Sequence, residues 1–233
     1  MKVLVTGGSG FIGTHLVAHL VNCGYEVSNV DCNKPGDERG VELWKNCSIL
    51  DANTLLAVFL KFQPQFVVHL AAYASMDARS LDEFRPNTEG TANLLNACKE
   101  SATVERVIIT STQHVRKPGS GYPAHDTDYI PYMFYGESKV ITEQLTRAAN
   151  LKCAWTIIRP TAVWGPGHLL LAEGPWKLMA QGKYFHPSND PVIRSYGYVK
   201  NVAWQIEKLL QTNSTDINSK VFYVADGNMQ QYD

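Results

Sequence analysis

Two residue pairs in this 233-residue chain place a phenol four positions ahead of an amine: Tyr135 with Lys139, and Tyr196 with Lys200. On a helix that spacing puts both side chains on one face. A free phenol titrates at about 10 and is a poor base at neutral pH. A cation held beside it favours the phenolate. Lowering its pKa by about three units takes roughly 4 kcal/mol of differential interaction. A phenol tuned in this way can exchange a hydroxyl proton with a substrate. Spacing alone does not choose between the two pairs, nor between proton transfer and an ordinary exposed helix turn.

A second pattern carries a different chemistry. The run TGGSGFIG sets Gly7, Gly10 and Gly13 three apart, between the strand-like KVLVT and the helix-like FIGTHLVAHLVNCG. In such a turn Gly7 permits the tight reversal and Gly10 lets the backbone approach a pyrophosphate. Gly13 lets the helix pack close on the strand. The free N–H groups of the helix start then face the phosphates. A glycine-rich turn without a ligand is the plain alternative, and the strand-before, helix-after context argues against it. Asp31 ends the next strand-like run, 18 residues after Gly13. A carboxylate there takes both ribose hydroxyls and repels a 2′-phosphate, so the sequence predicts NAD rather than NADP.

These residues sit in an alternating pattern of short apolar runs and longer amphipathic ones. KVLVT, YEVSNVD, CSIL, FVVHLAA, ERVIITS, AWTIIRP and KVFYVAD read as strands. DANTLLAVFLKF, NTEGTANLLNACKES, YGESKVITEQLTRAAN and VAWQIEKLL read as helices, with Asp51 as an N-cap. The alternation predicts an α/β fold with a parallel sheet covered on both faces. After Pro160 the rhythm breaks into Gly-, Pro- and His-rich loops. Net charge is -1, which gives no basic footprint for nucleic acid. No apolar run reaches the length of a membrane span, and the N-terminus lacks the pattern of a signal peptide. Five scattered cysteines without C-x-x-C spacing predict a reducing, cytoplasmic setting, and the histidines show no metal-ligand spacing.

TGGSGFIG, HLAA (69–72), NTEGTANLLNAC, the ITST strand end, YGESK and RPTAVWGPG follow one another in this order. Together they resemble the extended short-chain dehydrogenase/reductase family, in its NAD-dependent epimerase/dehydratase branch, over residues 1 to about 205. The resemblance implies a Rossmann-type doubly wound sheet (1–165) and a small C-terminal substrate lobe (166–233) interleaved with it, whose last strand returns to the sheet. It selects Tyr135 and Lys139 as the catalytic pair, because only they lie on the helix after the fifth strand. It assigns Thr112 to the hydroxyl that bonds the reacting oxygen, while Ser111, one residue off, points elsewhere. It places Gly7, Gly10, Phe11, Ile12, Gly13, Asp31, Ile49, Leu70, Ala71, Ala72, Tyr135, Lys139, Pro160 and Val163 around NAD. No metal is implied.

The resemblance also bears on substrate. Members that dehydrate sugars carry Thr-Asp-Glu where this chain has Thr112-Gln113-His114, so 4,6-dehydration is not expected. Arg194, in IRSYGYVKNVA, falls where an epimerase arginine grips a nucleotide diphosphate, beside the substrate-binding Thr112 and Tyr135. The implied substrate is a nucleotide-diphosphate sugar, epimerised or reduced. Against this, Ala162 replaces the asparagine of the epimerase pattern, and RP…GPG is also similar to hydroxysteroid dehydrogenases. A non-nucleotide hydroxyl or carbonyl substrate is therefore the alternative, and a non-catalytic NAD-binding scaffold a further one. The family implies a homodimer through the helices NTEGTANLLNACKES and YGESKVITEQLTRAAN, with Leu94, Ala97, Val140 and Leu145 as surplus apolar positions.

Overall fold

A computed structural model of the chain describes residues 1–121, 123–168, 174–185, 192–227 and 230–232; at 175, 192–194 and 230–232 the description covers the backbone alone. The strands are β1 (Lys2–Thr6), β2 (Glu26–Asp31), β3 (Trp44–Asn46), β4 (Phe66–His69), β5 (Arg106–Thr110), β6 (Ala154–Pro160), β7 (Ala162–Trp164), β8 (Val192–Arg194), β9 (Tyr196–Tyr198), β10 (Lys220–Val224) and β11 (Gln230–Tyr232). The helices are α1 (Phe11–Asn22), α2 (Glu38–Leu43), α3 (Ala52–Phe62), α4 (Arg85–Glu100), α5 (Phe134–Ala148), α6 (Pro175–Ala180), α7 (Val199–Gln211) and α8 (Ser214–Ile217).

Seven strands form one parallel sheet in the order β10-β6-β5-β4-β1-β2-β3. A parallel sheet covered on both faces needs apolar residues in succession, and β1 and β5 supply them. Successive side chains then enter different cores. Val3 and Val5 join Leu16 and Leu20 of α1 and Val202 and Ile206 of α7. Leu4 instead joins Leu55 and Phe59 of α3 and Leu94 of α4. The doubly wound architecture expected from the sequence is therefore present. Beyond β6, β7 pairs with β9 in parallel and β8 with β11 antiparallel.

Three expectations need correction. The third strand is Trp44–Asn46 rather than CSIL at 47–50. The Trp44 indole donates to the Asp31 carbonyl at 2.8 Å, and Cys47 N–H donates to the same oxygen at 3.2 Å. Pairing with β2 thus ends at Asn46, and the chain turns away before Asp51 caps α3. The short helix α2, which the apolar pattern does not announce, starts at Asp37, whose side chain accepts from Gly40 N–H at 2.7 Å. Third, Leu94, Ala97 and Val140 are buried within one subunit, and Leu145 packs on the second core. They cover the sheet and the α4–α5 contact, so they are not surplus and lend no support to a dimer.

The closest backbone approach falls at the first crossover. A Cβ on Gly13 would stand 2.1 Å from the Gly7 carbonyl oxygen. Gly13→Ala is expected to cost about 1–3 kcal/mol, as overpacking does where only backbone can yield. Thermal or urea unfolding of the variant checks this.

Candidate functional site

At the carboxyl ends of the strands the chain leaves β1 toward β2 on one side, while β4 lies on the other. This is the switch point at which doubly wound sheets open a crevice. Gly7 follows β1 with φ +73°, and a Cβ there would stand 2.5 Å from the Ala71 nitrogen. Only glycine meets both demands. Gly10 caps α1 without a side-chain bond, and no acidic residue occupies the first turn. Phe11, Ile12 and Gly13 therefore open the helix with N–H groups that no side-chain cap covers.

Strand β2 holds this loop from outside. Asp31 accepts from Ser9 N–H at 3.0 Å through one carboxylate oxygen and from Asn33 N–H at 2.8 Å through the other. Asn29, two residues earlier on the same face, donates to the Ser9 hydroxyl at 3.1 Å. On the β4 side, Leu70 N–H donates to the Thr6 carbonyl at 3.0 Å, and Ala71 N–H to the Thr6 hydroxyl at 3.4 Å. Ala72 follows, exposed. His69 joins the strands to α4: one ring nitrogen lies 2.7 Å from the Thr6 hydroxyl and the other 3.2 Å from that of Thr91. Burial, with the Lys139 charge adding to it, pushes His69 down to about 3 and keeps it neutral.

Thr112 follows β5, buried, its hydroxyl accepting from His114 N–H at 3.3 Å and acting on the Tyr135 phenol so as to favour the phenolate. Tyr135 and Lys139 lie one turn apart on α5, and Lys139 Nζ donates to the Thr110 carbonyl at 2.9 Å. Burial pushes Lys139 down to about 8, opposed by the charge of Glu143. Burial raises the Tyr135 phenol, and the Thr112 bond opposes that rise. This differs from the sequence expectation of a phenol lowered by its lysine: within the protein alone, desolvation of the ring is the larger effect. Tyr196 ends up in β9 and Lys200 in α7, so that second pair shares no helix face.

The remaining sequence-predicted residues divide. Pro160 closes β6 opposite Val224, and Val163 sits in β7 opposite Gly197 while packing on the first core. Ile49 is buried against Gly90 of α4, and its carbonyl accepts from the Asn93 amide at 3.0 Å. The Arg194 backbone pairs with Gln230 in the β8–β11 ladder, but its side chain lies outside the described residues.

Residues 3–225 match the NAD dependent epimerase/dehydratase family. The chain belongs to this family. It is 31% identical over 212 residues to human sterol-4-alpha-carboxylate 3-dehydrogenase, decarboxylating, covering 86% of this chain and 55% of that one. It is 33% identical over 184 residues to the Mycobacterium tuberculosis 3 beta-hydroxysteroid dehydrogenase/Delta 5-->4-isomerase, covering 71% and 48%. Its fold superposes with a TM-score of 0.83 on UDP-glucose 4-epimerase of Thermotoga maritima with UDP-glucose, at 27% identity over 99% of this chain and 79% of that one.

The residues present fit the dinucleotide after which this epimerase/dehydratase family is named. The glycine loop leaves backbone rather than side chains at the α1 N-terminus. Each Asp31 oxygen makes one protein bond, and a carboxylate has about four acceptor positions, so capacity remains for hydroxyl donors. Among the described residues no group of three or more His, Cys, Asp or Glu could hold a metal ion, and no helix is long and apolar enough to cross a membrane.

The sequence reading missed the polar residues that brace this site. Asn87 of α4 accepts from Tyr73 N–H at 2.7 Å and donates to the Tyr73 carbonyl and the Ser138 hydroxyl, both at 2.9 Å. Glu143 and Arg159 form a fully buried ion pair at 2.8 Å. Their only sequence signal was spacing: Glu143 falls one turn after Lys139, as Lys139 falls one turn after Tyr135.

His69 gives a stability prediction. Its folded pKa lies below the unfolded one, so the unfolded chain binds the extra proton, and stability is lost as pH falls from about 6.5 toward 3. His69→Gln is expected to remove roughly 1.4 kcal/mol per pH unit from the slope of unfolding free energy across that window. Urea unfolding at stepped pH measures the difference.

Proposed function

We propose that this protein binds NAD on the Gly7–Gly13 loop, with Asp31 on the adenosine ribose, and uses it to move hydride to or from a carbinol carbon. The observation that carries this reading is the meeting of Thr112, Tyr135 and Lys139 at the same carboxyl edge as the glycine loop. NAD, when bound, takes or returns the hydride and brings a positive charge in its oxidised form. Tyr135 takes the substrate's hydroxyl proton, or returns it in the reverse direction. Thr112 hydrogen-bonds the reacting oxygen and keeps the phenol oriented. Lys139, as an ammonium, holds the cofactor ribose and favours the phenolate.

For the substrate we favour a nucleotide-diphosphate sugar, on the likeness to an epimerase solved with UDP-glucose and on the place of Arg194 in the sequence. A second reading, a secondary alcohol or ketone on an apolar skeleton, draws on Ala162 and on the sterol and steroid dehydrogenase relatives. Half-exposed Trp164, packed edge-on against Trp176 at 6.5 Å, would suit either a base or an apolar ring. A homodimer through α4 and α5 would have to use outward residues such as Arg85, Glu89 and Gln144. Residues from 166 onward are proposed to contribute the substrate lobe.

Incubation with NAD and UDP-, GDP- or dTDP-sugars, read by NADH absorbance and by NMR of the sugar, tests the first reading. Epimer formed without net NADH supports it, and net NADH with a 3β-hydroxysteroid supports the second. No turnover on any of these would remove both. Tyr135→Phe is expected to leave NAD binding nearly intact and lower turnover roughly 10²–10⁴-fold. A variant keeping more than about a tenth of the rate would take Tyr135 out of the proton path.

Asp31→Ala is expected to weaken NAD binding by roughly ten- to a hundredfold, since bonds to a charged group are worth about 1.5–3 kcal/mol. It should also narrow the preference over NADP, and calorimetric titration with both cofactors checks each effect.

A further inference from the structure

The largest buried electrostatic feature of the described residues lies behind the candidate catalytic set, not in the crevice. Glu143 and Arg159 are shielded from solvent, as is Ser111. One Glu143 oxygen accepts from the Ser111 hydroxyl at 2.6 Å and from Arg159 Nε at 2.8 Å. The other accepts from the Tyr129 hydroxyl at 2.9 Å and from Arg159 Nη2 at 2.8 Å. Arg159 also donates to the Asp126 carbonyl at 2.5 Å and to the Tyr223 hydroxyl at 3.1 Å.

Isolated buried ion pairs are poor stabilisers: desolvation offsets the attraction, and apolar residues of similar volume often do as well or better. What distinguishes this pair is what it joins. Ser111 immediately precedes Thr112, and because adjacent residues of an extended strand face opposite ways, fixing Ser111 from behind aims Thr112 forward. Tyr129 and Asp126 belong to the connection that leads into Tyr135. Glu143 itself lies two turns after Tyr135 and one after Lys139, on the same face of α5. One carboxylate on α5 thus joins Ser111 just beyond β5, Arg159 of β6 and Tyr129 of the 116–133 connection, so it is tied to the segments that lead into Thr112 and Tyr135.

We propose that Glu143 is a positioning residue for the candidate reaction: anchored by Arg159, its carboxylate sets Thr112 against Tyr135 through Ser111 and supplies the anion that faces Lys139 along α5. The proposal rests on the functional reading above. Its electrostatic part also includes Arg147 of α5, whose guanidinium lies 3.9 Å from the Glu143 carboxylate and 3.2 Å from that of Asp126 and stays in place in the variants below. Lys139 faces neutral His69 from β4, Tyr135 and Glu143 from its own helix, and the Thr110 carbonyl from β5. Arg159 is paired with Glu143; burial works against the charged guanidinium, but the Glu143 bonds and charge outweigh it and push its pKa up. Of these groups Glu143 raises the Lys139 pKa, so its removal makes the ammonium easier to lose.

Glu143→Gln keeps the shape and removes the charge. The expected result is a kcat at least tenfold lower, KM within about twofold, and an alkaline limb of kcat/KM moved to lower pH. Ser111→Ala leaves the ion pair in place, and is expected to lower kcat severalfold without moving that limb. A merely structural brace would lower the melting temperature yet leave the pH limb of the folded protein unmoved. Glu143→Gln with Arg159→Met removes both charges, so recovery of stability together with wild-type kcat and pH limb would overturn the proposal. If Glu143→Gln does not fold, Ser111→Ala decides: wild-type kcat in a folded Ser111→Ala protein overturns it. If the wild-type protein turns over none of the substrates tried, the functional reading fails, and Glu143 is judged by NMR titration of ¹³C-labelled lysines, with Lys139 assigned from Lys139→Arg. A Lys139 pKa lower in Glu143→Gln than in wild type then upholds the electrostatic part alone, with the positioning role falling with the functional reading, and an unchanged one overturns both parts.

Discussion

Parallel strands all deliver their carboxyl ends to one edge of the sheet, and nearly everything of chemical interest in this protein follows from that constraint. β1 ends at the glycine turn, β2 at Asp31, β4 at the Leu70–Ala72 segment and β5 one residue short of Ser111 and Thr112. Because consecutive crossovers run outward from β1 in both directions, the loops diverge there and leave backbone exposed. The close approach of Gly7 to Ala71 and of Gly13 to Gly7 draws that edge tight. A side chain at either position would push apart elements that the site needs within hydrogen-bond reach.

The apolar cores hold the sheet between its helices, but they do not aim side chains at the edge. That work falls to buried polar residues, of which Asn87 and Glu143 each hold several partners, as costly buried polar groups do. Asn87 pins the segment after β4 to α5 through both its amide atoms. The Thr142 hydroxyl donates to the Asn87 carbonyl at 2.7 Å, so α4 and α5 share a polar seam beside their apolar contacts. Helix α5 consequently buries Ser138, Lys139, Thr142, Glu143 and Thr146. The helix that carries the phenol is thereby held by directional bonds, which fix its rotation about its own axis more sharply than dispersion contacts would.

The comparisons fit this division of labour. Proteins named for sterol, steroid and nucleotide-sugar chemistry all match this chain, over 71%, 86% and 99% of its length. Beyond β6, Ala162 and Trp164 share a two-stranded ladder with Tyr196 and Tyr198, outside the main sheet.

The sequence by itself determined the alternation of strands and helices, the glycine turn, the acidic end of β2 and the two candidate phenol–lysine pairs. These are local facts: strand period, helix period, caps and backbone sterics act within a dozen residues. It misplaced β3 by a few residues because that strand is fixed by pairing with β2 and by the Trp44 indole on the Asp31 carbonyl, neither of which a period can reveal. It read Leu94, Ala97, Val140 and Leu145 as spare because it could not count how much apolar surface the sheet and the facing helix would cover. The order of motifs already favoured Tyr135–Lys139 over Tyr196–Lys200, and the tertiary structure shows the physical difference by putting one pair on a single helix and dividing the other between β9 and α7. Only the tertiary structure brought Glu143 to Arg159, and only it buried Tyr135 and Lys139, whose raised phenol and lowered amine follow from desolvation, because pairing across 16 residues and burial depend on which groups folding removes from water together.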